Sequence, residues 1–244
     1  MARLSTPSDD AGRLYPDVVD AGGLAPALQI ALRSIASDLS VTDLPQEHRF
    51  VAYARVQRGV RASQVYIAAE RRLFLNDFWR DGVNFANGST SDLSGIAHAI
   101  HCWVAEECAI SALKQFSFVT LADFAESFDQ QTEVEDRWKL YLKDIGYPEL
   151  ESIVAEAATR FELRQLFPFT SLNRLCFSRC TGYPYTRDTP HIEPIENGHY
   201  NVRDAYGKLI GTGDAKLAAD MLVGNLPANC GPAIRGTADT IKST

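Results

Sequence analysis

What most constrains this chain is the order in which strand-like runs and helical periods follow one another. After Pro45 the runs Phe50 to Val56, Gln64 to Ala69 and Leu73 to Phe78 are short, aromatic or β-branched, and separated by Gly59 and the charged turn at 70–72. This is the texture of an antiparallel meander. From Asp92 to Leu166 apolar residues recur at helical spacing, and after Pro168 the strand-like texture returns. Strands are segregated from helices rather than alternating with them, and no internal repeat is visible, so an α+β fold is predicted.

Within that frame, residues 1–22 are polar and punctuated by Pro7, Gly12, Pro16, Gly22 and Gly23, which predicts a loose arm. Leu24, Leu28, Ala31, Leu32, Ile35 and Leu39 mark a first helix, with Pro26 tolerated in its first turn. The stretch Trp79 to Asp92 is expected to lead from strand to helix through Gly88 and a cluster of capping residues. The helix itself presents Leu93, Ile96, Ala97, Ile100, Val104 and Cys108 on one face and is expected to run to Leu113. Thr132 to Glu135 matches a capping box. Val134, Trp138, Tyr141 and Ile145 follow on one face before Gly146 stops that helix and Pro148 starts another, and a short helical turn is expected at Glu162 to Leu166. Strands are predicted at Leu172 to Ser178, Ile192 to Ile195, Tyr200 to Arg203 and Leu209 to Gly211, with Asn197-Gly198 as a hairpin turn. A closing helix spans Asp214 to Leu226. Residues 23–226 then form one domain, or two sub-domains at 23–118 and 119–226, followed by a turn-rich tail at 227–244.

Composition narrows the class. Forty-five per cent hydrophobic and 23% charged residues is an ordinary globular mixture that excludes disorder and collagen-like repeats. Five cysteines without a CxxC pair, and an amino terminus without an apolar signal core, predict a cytoplasmic protein. No run approaches the ~20 apolar residues needed to cross a bilayer, so no membrane association is expected. The net charge of −7 sits in residues 121–163, where eleven acids face four bases. This reads as a solvated helical surface, with an acidic docking face as the alternative. Overall acidity and the lack of a continuous basic stripe argue against nucleic acid. With only six lysines, the basic residues are strongly biased to arginine, which suits planar recognition of carboxylate or phosphate.

The chain has no GxGxxG after a strand, GxxxxGK[ST], HExxH or GxSxG motif. His98, His101 and Cys102 share one helical side without a fourth ligand at a recognisable spacing, so no metal is expected, and no cofactor is predicted. The glycines of the 204–214 run read as a strand-to-helix turn rather than a phosphate loop. Two segments are richer in polar and aromatic groups than packing requires. The first offers Trp79, Arg80, Asp81, Ser89 and Thr90 beside a helix amino terminus, where free N–H groups favour an anion. The second, Phe167 to Tyr185, sets Leu175 and Phe177 on one strand face and Arg174, Cys176, Ser178 and Cys180 on the other, followed by Arg179 and Thr181. If the two segments met, Trp79, Arg80, Ser89, Thr90, Arg174, Ser178, Arg179 and Thr181 would bind a ligand, with Asp81, Tyr183 or Tyr185 as proton carrier.

The runs LFPFTS (Leu166 to Ser171), FSRCTGYPY (Phe177 to Tyr185), WRDG into NGSTSDL (Trp79 to Leu93) and LP..CGPA..GTA (Leu226 to Ala238) resemble a family of uncharacterised actinobacterial proteins labelled natural-product biosynthesis proteins. The resemblance extends from about Phe50 onward. It implies a bacterial cytoplasmic protein of secondary metabolism and supplies no reaction. Two functions follow as expectations: an accessory or tailoring protein acting on an anionic small molecule or peptide without metal or nucleotide, or a non-catalytic module binding a peptide, carrier protein or other protein partner.

Overall fold

The computed structural model describes residues 9–42, 53–228 and 230–242. Residues 1–8 of the expected arm, the first three residues of the expected Phe50 to Val56 strand, and Asn229, Ser243 and Thr244 of the tail lie outside them. The fold is α+β, with an antiparallel five-stranded sheet in each of two compact units, 1–129 and 130–244. The two units divide after Asp129.

The first unit begins with helices, and this corrects the expected loose arm over its described part. Helices α1 (Asp9–Leu14) and α2 (Pro16–Asp20) flank Tyr15, and Tyr15 and Val18 are both buried. The Tyr15 hydroxyl lies 2.7, 2.9 and 3.0 Å from the carbonyls of Ala68, Arg71 and Leu73 and accepts the Leu73 N–H at 2.9 Å. Arg72 donates to both carboxylate oxygens of Asp17 at 2.6 and 2.9 Å. Two buried side chains and one ion pair are enough to fix a segment whose composition reads as polar.

Helix α3 (Leu24–Ser34) turns Leu24, Ala27, Leu28 and Leu32 into the core. Strands β1 (Tyr53–Arg58), β2 (Arg61–Ile67), β3 (Phe74–Arg80), β4 (Val83–Thr90) and β5 (Val119–Leu121) pair in sequence order, the meander the sequence predicts. The additions are β4, expected as a strand-to-helix connection, and β5, which falls within the stretch expected to be helical. Asp81 and Gly82 both have positive φ, 50° and 69°, and join the paired residues Arg80 and Val83. That is a two-residue turn whose twist matches antiparallel strands. The Asp-Gly dipeptide, rather than the polar cluster after Gly88, decides the path of the chain.

Helix α4 (Leu93–Ile100) begins where expected, with the Asp92 carboxylate accepting the Ser94 N–H at 2.9 Å. It does not continue to Leu113. Residues His101–Ala105 widen into π-helix, and after a break a 3-10 helix covers Ile110–Gln115. The wider turn shifts the helical phase. Cys102, read with His98 and His101 on one helical side, is buried beside Trp103 and Val104. Buried Arg61 fixes this irregular backbone: one guanidinium nitrogen donates to the Trp103 and Cys108 carbonyls at 3.0 and 2.7 Å, with the group 4.2 Å above the Trp103 ring. Helix α5 (Ala125–Gln130) ends the run, burying Phe128 against Phe85.

In the second unit, α6 (Glu133–Lys143), a 3-10 turn at Pro148–Leu150, α7 (Glu151–Ala157) and α8 (Phe161–Arg164) precede the sheet. The expected capping box does not form: the Thr132 hydroxyl donates to Asp136 at 2.6 Å instead of accepting a backbone N–H. Gly146 is at φ 74°, the left-handed stop the sequence indicates. The sheet order is β10-β9-β8-β7-β6, built from β6 (Phe167–Ser171), β7 (Arg174–Ser178), β8 (His191–Pro194), β9 (Tyr200–Arg203) and β10 (Leu209–Gly213). Leu172 and Asn173, at φ 51° and 58°, form the turn between β6 and β7, so the expected strand from Leu172 begins two residues later. Helix α9 (Ala215–Gly224), capped by Asp214, packs on β10. A Cβ on Gly213 would stand 2.7 Å from Leu217, so that glycine belongs to a close strand-to-helix junction.

Leu175, Phe177, Ile192, Val202 and Tyr200 face the helices, where Trp138, Ile153, Val154, Ala218 and Leu222 complete the core. Trp138 is fully buried, stacked 6.0 Å from Phe177, with its indole N–H donating to the Leu166 carbonyl at 3.0 Å. Pairing its one polar atom removes the penalty such a ring would otherwise carry. The tail is less turn-rich than expected. Ile234 forms a parallel bridge with Cys180, Gly182 donates to the Gly236 carbonyl at 2.8 Å, and helix α10 (Ala238–Lys242) follows.

Candidate functional site

Antiparallel pairing fixes which side chains share a sheet face. Leu175 pairs with Ile192 and Ile192 with Val202, and all three are fully buried against the helices. Their neighbours must therefore point to the opposite face. Across β6 to β9 this sets Phe169, Cys176, His191 and Arg203 in one row, with Phe169 opposite Cys176 and His191 opposite Arg203. The next row is Ser171, Arg174, Glu193 and Asn201.

A groove of about 560 Å³ opens over these rows. Its floor is the outer face of β6 to β9, one wall is the connection carrying Thr186, Arg187 and Thr189, and Ala205 and Gly207 of the β9–β10 turn close one end. Glu193 bridges two arginines, one oxygen 2.7 Å from Arg174 and the other 2.6 Å from Arg203. Arg203 also donates to the Gly207 carbonyl at 2.9 Å, tying the turn to the floor. Among the described residues, Arg187 has no carboxylate within ion-pair distance. The lining thus holds three guanidiniums and one carboxylate, which pairs with two of them.

The titratable groups follow from this charge distribution. Burial alone would raise the Glu193 carboxyl, but the Arg203 hydrogen bond and the charges of Arg174 and Arg203 outweigh it and hold it below the usual range. Burial lowers His191, and Arg174 and Arg203 lower it further against the opposing pull of Glu193, so the imidazole is neutral at pH 7. Burial pushes Cys176 up to about 11 despite nearby Arg174 and Arg187. Its thiol is protonated, which makes it a small apolar group rather than a nucleophile. Beside the groove, Tyr185 stacks on Phe169 at 4.5 Å, and burial raises its phenol.

The sequence candidates distribute as follows. Arg174 lines the groove. Ser178 is fully buried and donates to the Cys180 carbonyl at 2.7 Å while accepting the N–H groups of Cys180 and Thr186, so it shapes the loop. Arg179 pairs with Asp188, and Thr181 is buried with its N–H on the Ile234 carbonyl at 3.1 Å. Tyr183 is exposed and packs edge-on to Tyr185 at 5.8 Å. Trp79, Arg80, Asp81, Ser89 and Thr90 belong to the first unit. There Trp79 accepts the Trp103 indole N–H at 3.1 Å through its carbonyl, the Arg80 guanidinium lies 5.0 Å over Phe85, and Asp81 is a turn residue. Ser89 donates its N–H to the Phe118 carbonyl, and the Thr90 hydroxyl accepts the Asp92 N–H. The helix start expected to attract an anion already carries one, the Asp92 carboxylate. His101 contacts the Ser37 hydroxyl at 2.9 Å and Glu106 at 3.6 Å.

Sequence reasoning missed His191, Glu193 and Arg203, and left Arg187, one of an arginine-rich zone with Arg164, Arg174 and Arg179, out of the candidate site. Polar residues alternating with Ile192 and Val202 were the available signal, but the register that joins them to Arg174 lies in no single segment.

Residues 132–237 match the model of a family of unknown function, DUF6193. The match lies within the second unit and contains the LFPFTS and FSRCTGYPY runs and every groove residue. It does not reach the WRDG and NGSTSDL stretch. No curated protein and no solved structure matches the chain.

Proposed function

We propose that the second unit binds a carboxylate- or phosphate-bearing small molecule or peptide end in the groove over its outer sheet face. The observation that carries this is the charge of the lining: Arg174, Arg187 and Arg203 against Glu193 alone, with His191 neutral. Arginine presents planar paired donors suited to both oxyanions. Glu193 engages one Arg174 nitrogen and the Arg203 Nε, so donors on both remain for a ligand, and Arg187 contributes its whole fork. The motif resemblance supports an accessory or tailoring role in bacterial secondary metabolism, in the cytoplasm.

Binding is the reading the groove supports best, because its thiol is protonated and its carboxylate is committed to two arginines. Catalysis is the second reading, and His191 favours it: a neutral imidazole inside an arginine-lined groove can accept a proton from a bound acid. That role moves from Asp81, Tyr183 and Tyr185 to His191. The test is thermal stabilisation by a panel of small carboxylates and phosphates, comparing the wild type with Arg187→Gln. Stabilisation of the wild type that the variant loses supports the site. Equal responses from the two proteins place the ligand elsewhere, and no response from the wild type removes the reading.

A further inference from the structure

We infer that the ligand of this groove is a phosphate monoester whose organic part is flat and apolar. The inference rests on the anion-binding reading above and narrows it through the layout of the floor. Along the row Phe169, Cys176, His191, Arg203 the surface changes from apolar to cationic. Neighbouring strands stand about 4.8 Å apart, so the row spans about 14 Å, enough for one ring and one charged head.

Among the residues that line the groove, three guanidiniums accompany one carboxylate, an excess of two positive charges, while Asp204 outside the lining accepts the Tyr206 and Lys208 N–H groups of its own turn. A monocarboxylate would neutralise half of that excess. A phosphate monoester carries about −1.5 to −2 at pH 7 and three acceptor oxygens, matching both the charge and the several donors left on Arg174, Arg187 and Arg203. The neutral state of His191 keeps the excess at two near pH 7. The groups facing it are Arg174 and Cys176 on β7, Glu193 on its own strand, Arg203 from β9 and Asp204 just after that strand.

At the other end, Phe169 offers a ring in contact with Tyr185 at 4.5 Å, which in turn meets Tyr183. Cys176 beside it remains a protonated thiol, so Phe169 and Cys176 themselves add no charge to the floor, although Arg174 and Arg187 lie near the thiol. A flat ring can stack there while its phosphate reaches the arginines, whereas a bulky polar group would desolvate against the Phe169 ring and the thiol without a hydrogen-bond partner.

The experiment is titration calorimetry at pH 7 on the full chain with three probes: phenyl phosphate, benzoate and inorganic phosphate. Phenyl phosphate is expected to bind at least tenfold more tightly than benzoate and at least fivefold more tightly than inorganic phosphate. Arg187→Gln should weaken phenyl phosphate at least tenfold and benzoate less. Phe169→Ala should bring phenyl phosphate down to the affinity of inorganic phosphate while leaving the latter unchanged, with circular dichroism confirming that each variant is folded. Benzoate binding as tightly as phenyl phosphate overturns the phosphate assignment, and inorganic phosphate binding as tightly overturns the flat apolar part. Either result leaves the anion-binding reading standing. Absence of binding by all three overturns this inference, and the separate thermal panel then decides whether the groove takes any anion.

Discussion

Replacing Glu193 with Gln separates the two roles of the groove, because it should make the protein less stable and the site more attractive to anions. Glutamine keeps the shape but removes the negative charge that Arg174 and Arg203 share. Removing one partner of a buried pair costs about 3 to 5 kcal/mol, while exposed pairs are worth about 0 to 1 kcal/mol. Glu193 is 19% exposed but its partners are 44% and 31% exposed, so the geometry is intermediate and a loss of about 1 to 2 kcal/mol is expected. The sign of the pH dependence follows from the carboxyl. Its folded-state pKa is depressed, so its contribution is present above the unfolded-state value, ~4.3, and disappears as pH falls through the folded-state value. The stability gap between wild type and variant, measured by urea denaturation, should therefore be open at pH 7 and close with acidification below about pH 4. Ligand affinity should move the other way. A carboxylate about 7 Å from a bound anion, two residues along a strand, repels it by about 2 kcal/mol at an effective dielectric near 20, and salt reduces that to about 1 kcal/mol. Binding of a monoanion such as benzoate should then tighten about fivefold in the variant, and that of phosphate, with its larger charge, by more. A variant as stable as the wild type at pH 7 would show that the bridge is solvated and idle. Weaker anion binding would show that Glu193 positions the arginines, and the charge argument would fail.

Two further expectations test the fold. Tyr15→Phe should cost about 1 to 3 kcal/mol by leaving the Leu73 N–H and nearby carbonyls without the hydroxyl; an unchanged melting temperature would return residues 9–22 to a loose arm. Thr132→Ala, which removes a side-chain bond to Asp136 rather than a cap, should cost no more than about 1 kcal/mol, whereas Gly146→Val, forced to φ 74°, should cost more. Equal melting temperatures for these two variants would mean that the end of α6 is misread.

Much of the architecture is local information and was legible. The alternation around Leu175 and Phe177, the period of Trp138 and Tyr141, and the positive-φ pair Asn197-Gly198 each declare an element within a few residues. Other features depend on competition between neighbouring signals. Asp81-Gly82 marks a hairpin, but the capping cluster before Leu93 reads as an earlier helix approach, and only pairing with β3 and β5 settles Val83–Thr90 as a strand. The π turn at His101 is invisible because its stabiliser, Arg61, comes from a strand forty residues earlier in the chain. The site was half legible for the same reason. Arg174 stood out within a polar strand face, whereas Glu193 and Arg203 join it only through register.

On the proposed reading of the groove, that register ties folding to recognition in the history of the sequence. The pairing that buries Ile192 in the core of the second unit is the same pairing that presents His191 and Glu193 to the groove. Inserting or deleting one residue within β8 would exchange the two faces, placing a carboxylate in the core and an isoleucine among the arginines. No such change can alter ligand preference by degrees, since it removes the unit's stability in the same step. Variation in what the groove accepts is therefore confined to point substitutions on the floor, and to length changes in the 179–190 connection and the 204–208 turn, where the strands impose no parity.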